Sequence, residues 1–172
     1  NALENVIEAA RLLERRNSPV RFQFIGDGPE KQALIQLAAG LRSVAFNDPV
    51  PKAEIPARMA QADAILLSLR DVPLFRYGVS PNKLYDAYAI GRPVITTVAG
   101  SINAEVETHR LGVTAEPGDP QALADAILRL AQTPRAEREA MAARATQLAH
   151  STYSRQRINA EYNRLLREVI AR

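Results

Sequence analysis

Five short runs of β-branched and large apolar residues recur along the chain, at 20–25, 44–47, 63–69, 93–98 and 112–115, and a helix-forming stretch follows each. Parallel strands need a crossover between them, and a helix is the usual one. Regular alternation of strand and helix therefore confines the chain to the α/β class. The expected architecture is a doubly wound, Rossmann-like parallel sheet with helices on both faces. Ligands of such sheets bind outside the carboxyl ends of the strands, in the crevice where strand order reverses. Segments 26–29, 47–51, 70–80 and 99–101 all follow strands, so they should line one edge.

Helices are expected over 2–16, 30–41, 52–61, 81–90, 102–109, 120–132, 134–149 and 154–171, from apolar positions recurring every three or four residues. The stretch 135–149, rich in Ala and Arg, reads as a surface helix. The last helix is expected to bury Ile158, Tyr162, Leu165, Leu166 and Val169. The chain opens on a helix where a doubly wound domain usually opens on a strand, so the sheet is expected to lack its first strand. That opening also reads as a helix and not as a signal peptide.

Composition narrows the function. The 172 residues, 47% of them hydrophobic, suffice for one domain over 1–172. No apolar run approaches the roughly 20 residues that cross a bilayer. The net charge of +3 is spread over helix surfaces among acidic residues, which gives no footing to a nucleic-acid partner. With no cysteine and only two histidines, His109 and His150, no metal cluster is indicated, and no cofactor is expected.

The segment 79–95 carries the clearest local signal. Ser80 can cap a helix, Pro81 suits its first position, and Gly91 with Pro93 ends it. The amides of Asn82, Lys83 and Leu84 would then lack helical acceptors, and the helix dipole adds positive charge to that of Lys83. Such a start can hold a phosphate. Asp86, one turn deeper, offers a carboxylate that can accept two hydrogen bonds from a vicinal diol. A Ser-Pro helix start that binds only water is the plainer alternative, and the spacing alone leaves it open.

Taken together, five stretches resemble a known family. They are 24–30 (Phe-Ile-Gly-Asp-Gly-Pro-Glu), 44–50, 62–66, 80–86 (Ser-Pro-Asn-Lys-Leu-Tyr-Asp) with 91–95, and 112–119. Their order and spacing resemble the nucleotide-sugar-binding, C-terminal half of a retaining glycosyltransferase of the GT-B fold, in family 4 (group 1). The resemblance covers essentially the whole chain. It implies that Ser80, Pro81, Asn82, Lys83 and Leu84 meet a diphosphate and that Asp86 binds the ribose hydroxyls. Asp86 stands where the family has a glutamate, so the ribose must sit closer or use a water. Gly28, Asp48 and Val50 would flank the base. The family's other glutamate falls at Gly78, which leaves Arg76, Tyr77 and Gly78 as the candidates for the donor sugar.

The activity implied is sugar transfer from a nucleoside diphosphate sugar, UDP-linked first among the choices, to a glycan or lipid-linked acceptor in bacterial surface polysaccharide synthesis. The catalytic groups would lie on an N-terminal GT-B domain, and the fragment would not turn over alone. A cytoplasmic setting is implied, with the full enzyme peripheral to the inner face of the plasma membrane. Two alternatives share the fold or the chain type: half of a GT-B sugar-nucleotide epimerase, and a non-catalytic nucleotide-binding or interaction module. An oxidoreductase dinucleotide fold is disfavoured, because Gly26-Asp27-Gly28 runs into Pro29 with no third glycine.

Overall fold

A computed structural model describes residues 2–170, the Arg76 side chain excepted. The elements follow in the order α1 (Leu3–Arg15), β1 (Phe22–Ile25), α2 (Lys31–Leu37), β2 (Val44–Asn47), α3 (Ile55–Met59), β3 (Ile65–Ser68) and α4 (Asn82–Ala89). Then come β4 (Val94–Thr97), α5 (Ser101–Thr108), β5 (Gly112–Thr114), α6 (Pro120–Gln132), α7 (Arg135–Ser151) and α8 (Arg155–Ile170). The α/β architecture stands as expected, and every strand pair is parallel. The strands fall into two sets. β1 pairs with β2, and β3, β4 and β5 pair in that order. Each set grows outward from its first strand, so strand order reverses between β1 and β3.

The core explains why these runs become strands. β4 is central, and all four of its residues, Val-Ile-Thr-Thr, are buried. On one face Ile95 joins Val6, Ala9 and Leu13 of α1 and Leu123, Ile127 and Leu130 of α6. On the other, Val94 and Leu67 join Leu84, Ala87 and Tyr88 of α4, Ile102 and Val106 of α5, and Ala145 of α7. Outside these, Ile7 of α1 meets Leu34 of α2 beside Val44 and Phe46. The rings of Phe24 and Phe46 stack at 4.9 Å between β1 and β2.

Three expectations need correction. The helix expected over 52–61 is a 3-10 turn, Lys52–Glu54, leading into the short α3, whose first turn contains Pro56. The helix expected over 30–41 stops at Leu37, where Gly40 takes a φ of +83° and the chain turns. Most importantly, α8 buries nothing. Ile158, Tyr162, Leu165, Leu166 and Val169 are all exposed, up to 70% for Val169. Periodicity marked an apolar face correctly, but it carries no information about what covers that face.

The end of α4 behaves as read. Gly91 sits at φ +64°, its N–H donates to the Tyr88 carbonyl at 3.0 Å, and the Arg92 N–H donates to the Ala87 carbonyl at 3.0 Å. That is a Schellman ending, which needs a residue at ease in the left-handed region. A Cβ at Gly91 would also lie 2.8 Å from Thr146 Oγ1 of α7. Gly91→Ala is expected to cost about 1–2 kcal/mol from the dihedral alone. Adding Thr146→Ala should relieve the contact and return only part of the loss, as urea titration of the single and double variants would measure.

Candidate functional site

β3 ends at Ser68, and the chain crosses the carboxyl edge of the sheet before entering α4. The crossing contains a 3-10 turn, Pro73–Arg76, and then Gly78 at φ +154°. L-residues rarely adopt that φ, so the backbone here favours glycine where the resemblance led us to look for a glutamate. Tyr77 is 90% exposed on this crossing. Arg76 contributes backbone to the turn, and its side chain lies outside the described residues.

At the start of α4 the cap differs from the sequence expectation. Pro81 is the N-cap residue, extended at φ −81° and ψ 120°, and the helix begins one residue later, at Asn82. The Ser80 hydroxyl caps no amide and instead donates to the Tyr85 hydroxyl at 3.2 Å. The Leu84 amide is also taken, donating to the Pro81 carbonyl at 3.0 Å, and its side chain is buried in the core. Leu84 therefore anchors the helix and offers no amide to a ligand. The Asn82 and Lys83 amides have no acceptor among the described residues, and both residues are exposed. No acidic side chain pairs with Lys83 among the described residues. Desolvation by the surrounding chain lowers its pKa from the ordinary lysine value of 10.5, although the residue as a whole is exposed. Asp86 is exposed one turn on, its carboxylate without a partner among the described residues.

Across the reversal in strand order, the ends of β1 and β2 come together. The Gly28 N–H donates to Asp27 Oδ1 at 2.8 Å, and its carbonyl accepts the Lys31 N–H at 3.1 Å. Lys31 Nζ then reaches Asp48 Oδ1 at 3.1 Å and the Asn47 carbonyl at 3.5 Å. Gly28 and Asp48 are thus joined through Lys31, while Val50 is half-buried in the loop beyond. Sequence reasoning missed Lys31, and it missed Arg70. The Arg70 guanidinium lies 2.9 Å from Glu30 and 3.7 Å from Glu4, tying the crossing after β3 to α2 and α1. No local spacing could have paired Arg70 with residues 40 and 66 positions away.

A cavity of about 620 Å³ opens further along the edge, between the ends of β4 and β5, lined in part by Gly100, Asn103, Glu107, Thr114 and Arg129. It contains none of the residues expected to bind a donor. Several of its polar groups are already engaged: Asn103 accepts from Thr96 and the Val98 amide, Glu107 accepts from Thr114, and Asp125 accepts from Arg16. The cavity is therefore a weaker candidate than the start of α4, where amides, ammonium and carboxylate are all unengaged.

The model of the family described as glycosyl transferases group 1 matches residues 1–133. A colanic acid biosynthesis glycosyltransferase of Salmonella typhimurium, WcaL, itself named as putative, is 28% identical over 97% of this chain and 42% of its own length. The amylovoran biosynthesis glycosyltransferase AmsK of Erwinia amylovora is 34% identical over 73% of this chain and 32% of its own. The chain spans less than half the length of these curated relatives. Among solved structures, Anabaena HepE in complex with UDP superposes with a TM-score of 0.80 at 22% identity, over 97% of this chain and 45% of HepE. At that identity the likeness shows the shared fold, that of one half of a GT-B glycosyltransferase. The family match gives the epimerase alternative no support. A reversed strand order, an unengaged helix start beside it and a family match over most of the chain converge, and the chain belongs to the group 1 glycosyltransferases.

Proposed function

We propose that this domain binds the nucleoside diphosphate sugar donor of a glycosyltransferase, UDP-linked, for transfer to a glycan or lipid-linked acceptor in surface polysaccharide synthesis. The observation that carries the reading is the unengaged start of α4. The Asn82 and Lys83 amides, the Lys83 ammonium and the Asp86 carboxylate stand together with no competing partner among the described residues, at the edge where α/β sheets bind ligands. HepE, which shares the fold, was solved with UDP and with UDP-glucose.

In this reading the pyrophosphate lies against the two amides, and Lys83 neutralises one of its charges. Asp86 takes the ribose hydroxyls. The loops at Gly28, Asp48 and Val50 flank the base, and Tyr77 and the backbone at Gly78 face the donor sugar. Bond breaking at the anomeric carbon builds negative charge on the leaving diphosphate. Preorganised amides and an ammonium stabilise that charge more as it grows, which is how they would accelerate transfer. A retaining outcome and an acceptor site would require a second, N-terminal GT-B domain facing this edge, so this domain alone should bind without turnover. The full enzyme would work in the cytoplasm, peripheral to the inner face of the plasma membrane. Among the described residues no helix is long and apolar enough to cross one.

Calorimetry with UDP, UDP-glucose, GDP and NAD tests this. UDP and its sugar should bind, and GDP and NAD should bind more weakly. Lys83→Ala and Asp86→Ala should each weaken UDP about tenfold, close to 1.4 kcal/mol, while leaving the melting temperature unchanged. A folded sample that takes up no nucleotide would overturn the proposal, as would affinity indifferent to both substitutions, which fits an interaction module instead.

A further inference from the structure

The chain enters α4 through residues tied to the helix itself. Pro81 is the N-cap residue, so Ser80 stands one position before the cap and Tyr85 at the fourth position of the helix. Side chains at these two positions meet across the first turn, and an apolar pair there fixes the angle at which a chain enters its helix. Here the pair is polar: the Ser80 hydroxyl donates to the Tyr85 hydroxyl at 3.2 Å. Val79, one residue earlier, packs half-buried against the same core cluster as Tyr85.

Tyr85 is a firm post for this contact. A helical side chain leans toward the N-terminus of its helix, which carries the hydroxyl back toward the crossing. Its ring is held on two sides, 4.7 Å from the Tyr153 ring and 6.4 Å from the Tyr88 ring, the latter edge-on. Both neighbours are fixed in turn, because Tyr88 and Tyr153 each donate to one oxygen of the Glu105 carboxylate on α5. An exposed hydroxyl pair adds little to stability, since water replaces it at small cost. A ring braced from α5 and from the elbow before α8, only to hold such a contact, points to geometry and not to stability. What the contact fixes is the approach to Asn82 and Lys83, whose amides have no acceptor among the described residues. The direction of those amides follows from the entry angle set by the Ser80–Tyr85 pair.

We propose that Tyr85 is a positioning residue for the donor site: through Ser80 it sets the entry of the chain into α4, and so aims the Asn82 and Lys83 amides at the diphosphate. Tyr85 itself touches no part of the donor. The inference rests on the donor reading above and adds to it the device that preorganises the helix start. Hydrogen bonds from amides to an anion weaken steeply as they bend, so a small swing of the entry costs affinity without unfolding anything.

The test is a double-mutant cycle on UDP affinity, read by calorimetry, with Ser80→Ala, Tyr85→Phe and the two combined. Each single variant should weaken UDP about fivefold, the worth of one ordinary hydrogen bond. The combined variant should lose no more than either alone. The phosphorus resonances of bound UDP should shift alike in all three variants, which a loss of stability would not produce. Melting temperatures should stay within about 2 °C of the parent chain. Additive losses would mean that each hydroxyl meets the ligand separately, and a loss from only one variant would make that residue a direct contact. Either result overturns the proposal, as do phosphorus resonances that do not move. Unchanged affinity in Tyr85→Phe, with Lys83→Ala still weakening UDP, overturns it and leaves the donor reading standing. A parent chain that takes up no UDP sinks the donor reading and this inference with it.

Discussion

Gly112→Ala is expected to destabilise the protein by more than about 4 kcal/mol, at the extreme of single substitutions. Gly112 lies opposite Val94 in the parallel pairing of β4 and β5. A Cβ built there falls 1.9 Å from the Val94 carbonyl oxygen and 2.7 Å from its nitrogen. Both are backbone atoms of the central buried strand, so no rotamer change can clear the clash. Relief requires β5 to move off β4, straining the bonds from the Val94 N–H to the Leu111 carbonyl and from the Ala115 N–H to the Thr96 carbonyl. Domains of this kind have only about 5–15 kcal/mol in hand. The melting temperature should therefore fall by about 8–16 °C in a scan followed by circular dichroism. Gly118→Ala is the control. Gly118 has a φ of +75° but nothing within 4 Å of its Cβ position, so only the dihedral penalty of about 1–2 kcal/mol should appear. Equal losses at the two positions would contradict the account.

Tyr88→Ala is expected to cost about 3–5 kcal/mol, as for other large aromatic side chains removed from a core. Tyr88 is fully buried on α4, among Leu84, Val94 and Val106. Its hydroxyl donates to Glu105 Oε1 at 3.0 Å, and the Tyr153 hydroxyl donates to the other carboxylate oxygen. Tyr85 completes the group, its ring 4.7 Å from that of Tyr153. Tyr153 belongs to the elbow between α7 and α8, so the cluster fixes α4 against α5 and that elbow. Through Tyr85 it also reaches the Ser80 hydroxyl at the site. Tyr88→Phe, which keeps the ring, should cost only about 1 kcal/mol.

The same cluster sets an alkaline limit. Burial first, and then the Glu105 charge and hydrogen bond, push the Tyr88 hydroxyl well above the ordinary tyrosine value of 10; burial and Glu105 raise Tyr153 as well. A folded-state pKa raised above the unfolded one means that the native state holds more protons between the two values. Stability from this source is thus complete below pH 10 and falls as the pH climbs above it toward the folded values. Urea midpoints measured from pH 8 to pH 11 should drop at the alkaline end. The drop should be shallower in Tyr88→Phe, and an identical pH profile in the variant would refute the assignment.

The particulars separate what local chemistry can encode from what it cannot. The strands at 44–47 and 94–97 were legible because β-branched runs between turn residues have few other uses, and the Schellman ending of α4 was legible because Gly91 and Pro93 are local stop signals. The unengaged amides of Asn82 and Lys83 were legible for the same reason: a helix start lacks acceptors wherever it stands. The details of that start were not. Ser80 gave up its capping role for the Tyr85 hydroxyl, and the Leu84 amide turned back to Pro81, because neighbours within one turn competed for the same groups.

By itself, then, the sequence determined the class of fold, the loops that follow each strand along one edge of the sheet and the residues at the opening of α4, all consequences of periodicity and of backbone groups within a few residues. Only the tertiary structure decided that Lys31 holds Asp48, that Arg70 spans to Glu30 and Glu4, that α8 leaves its apolar face in solvent, and that β1 and β3 stand unjoined over α1. Those contacts join residues far apart in the chain. A side chain's charge or apolarity says what it can pair with, whereas which partner arrives is fixed only when the sheet and its helices have closed around it.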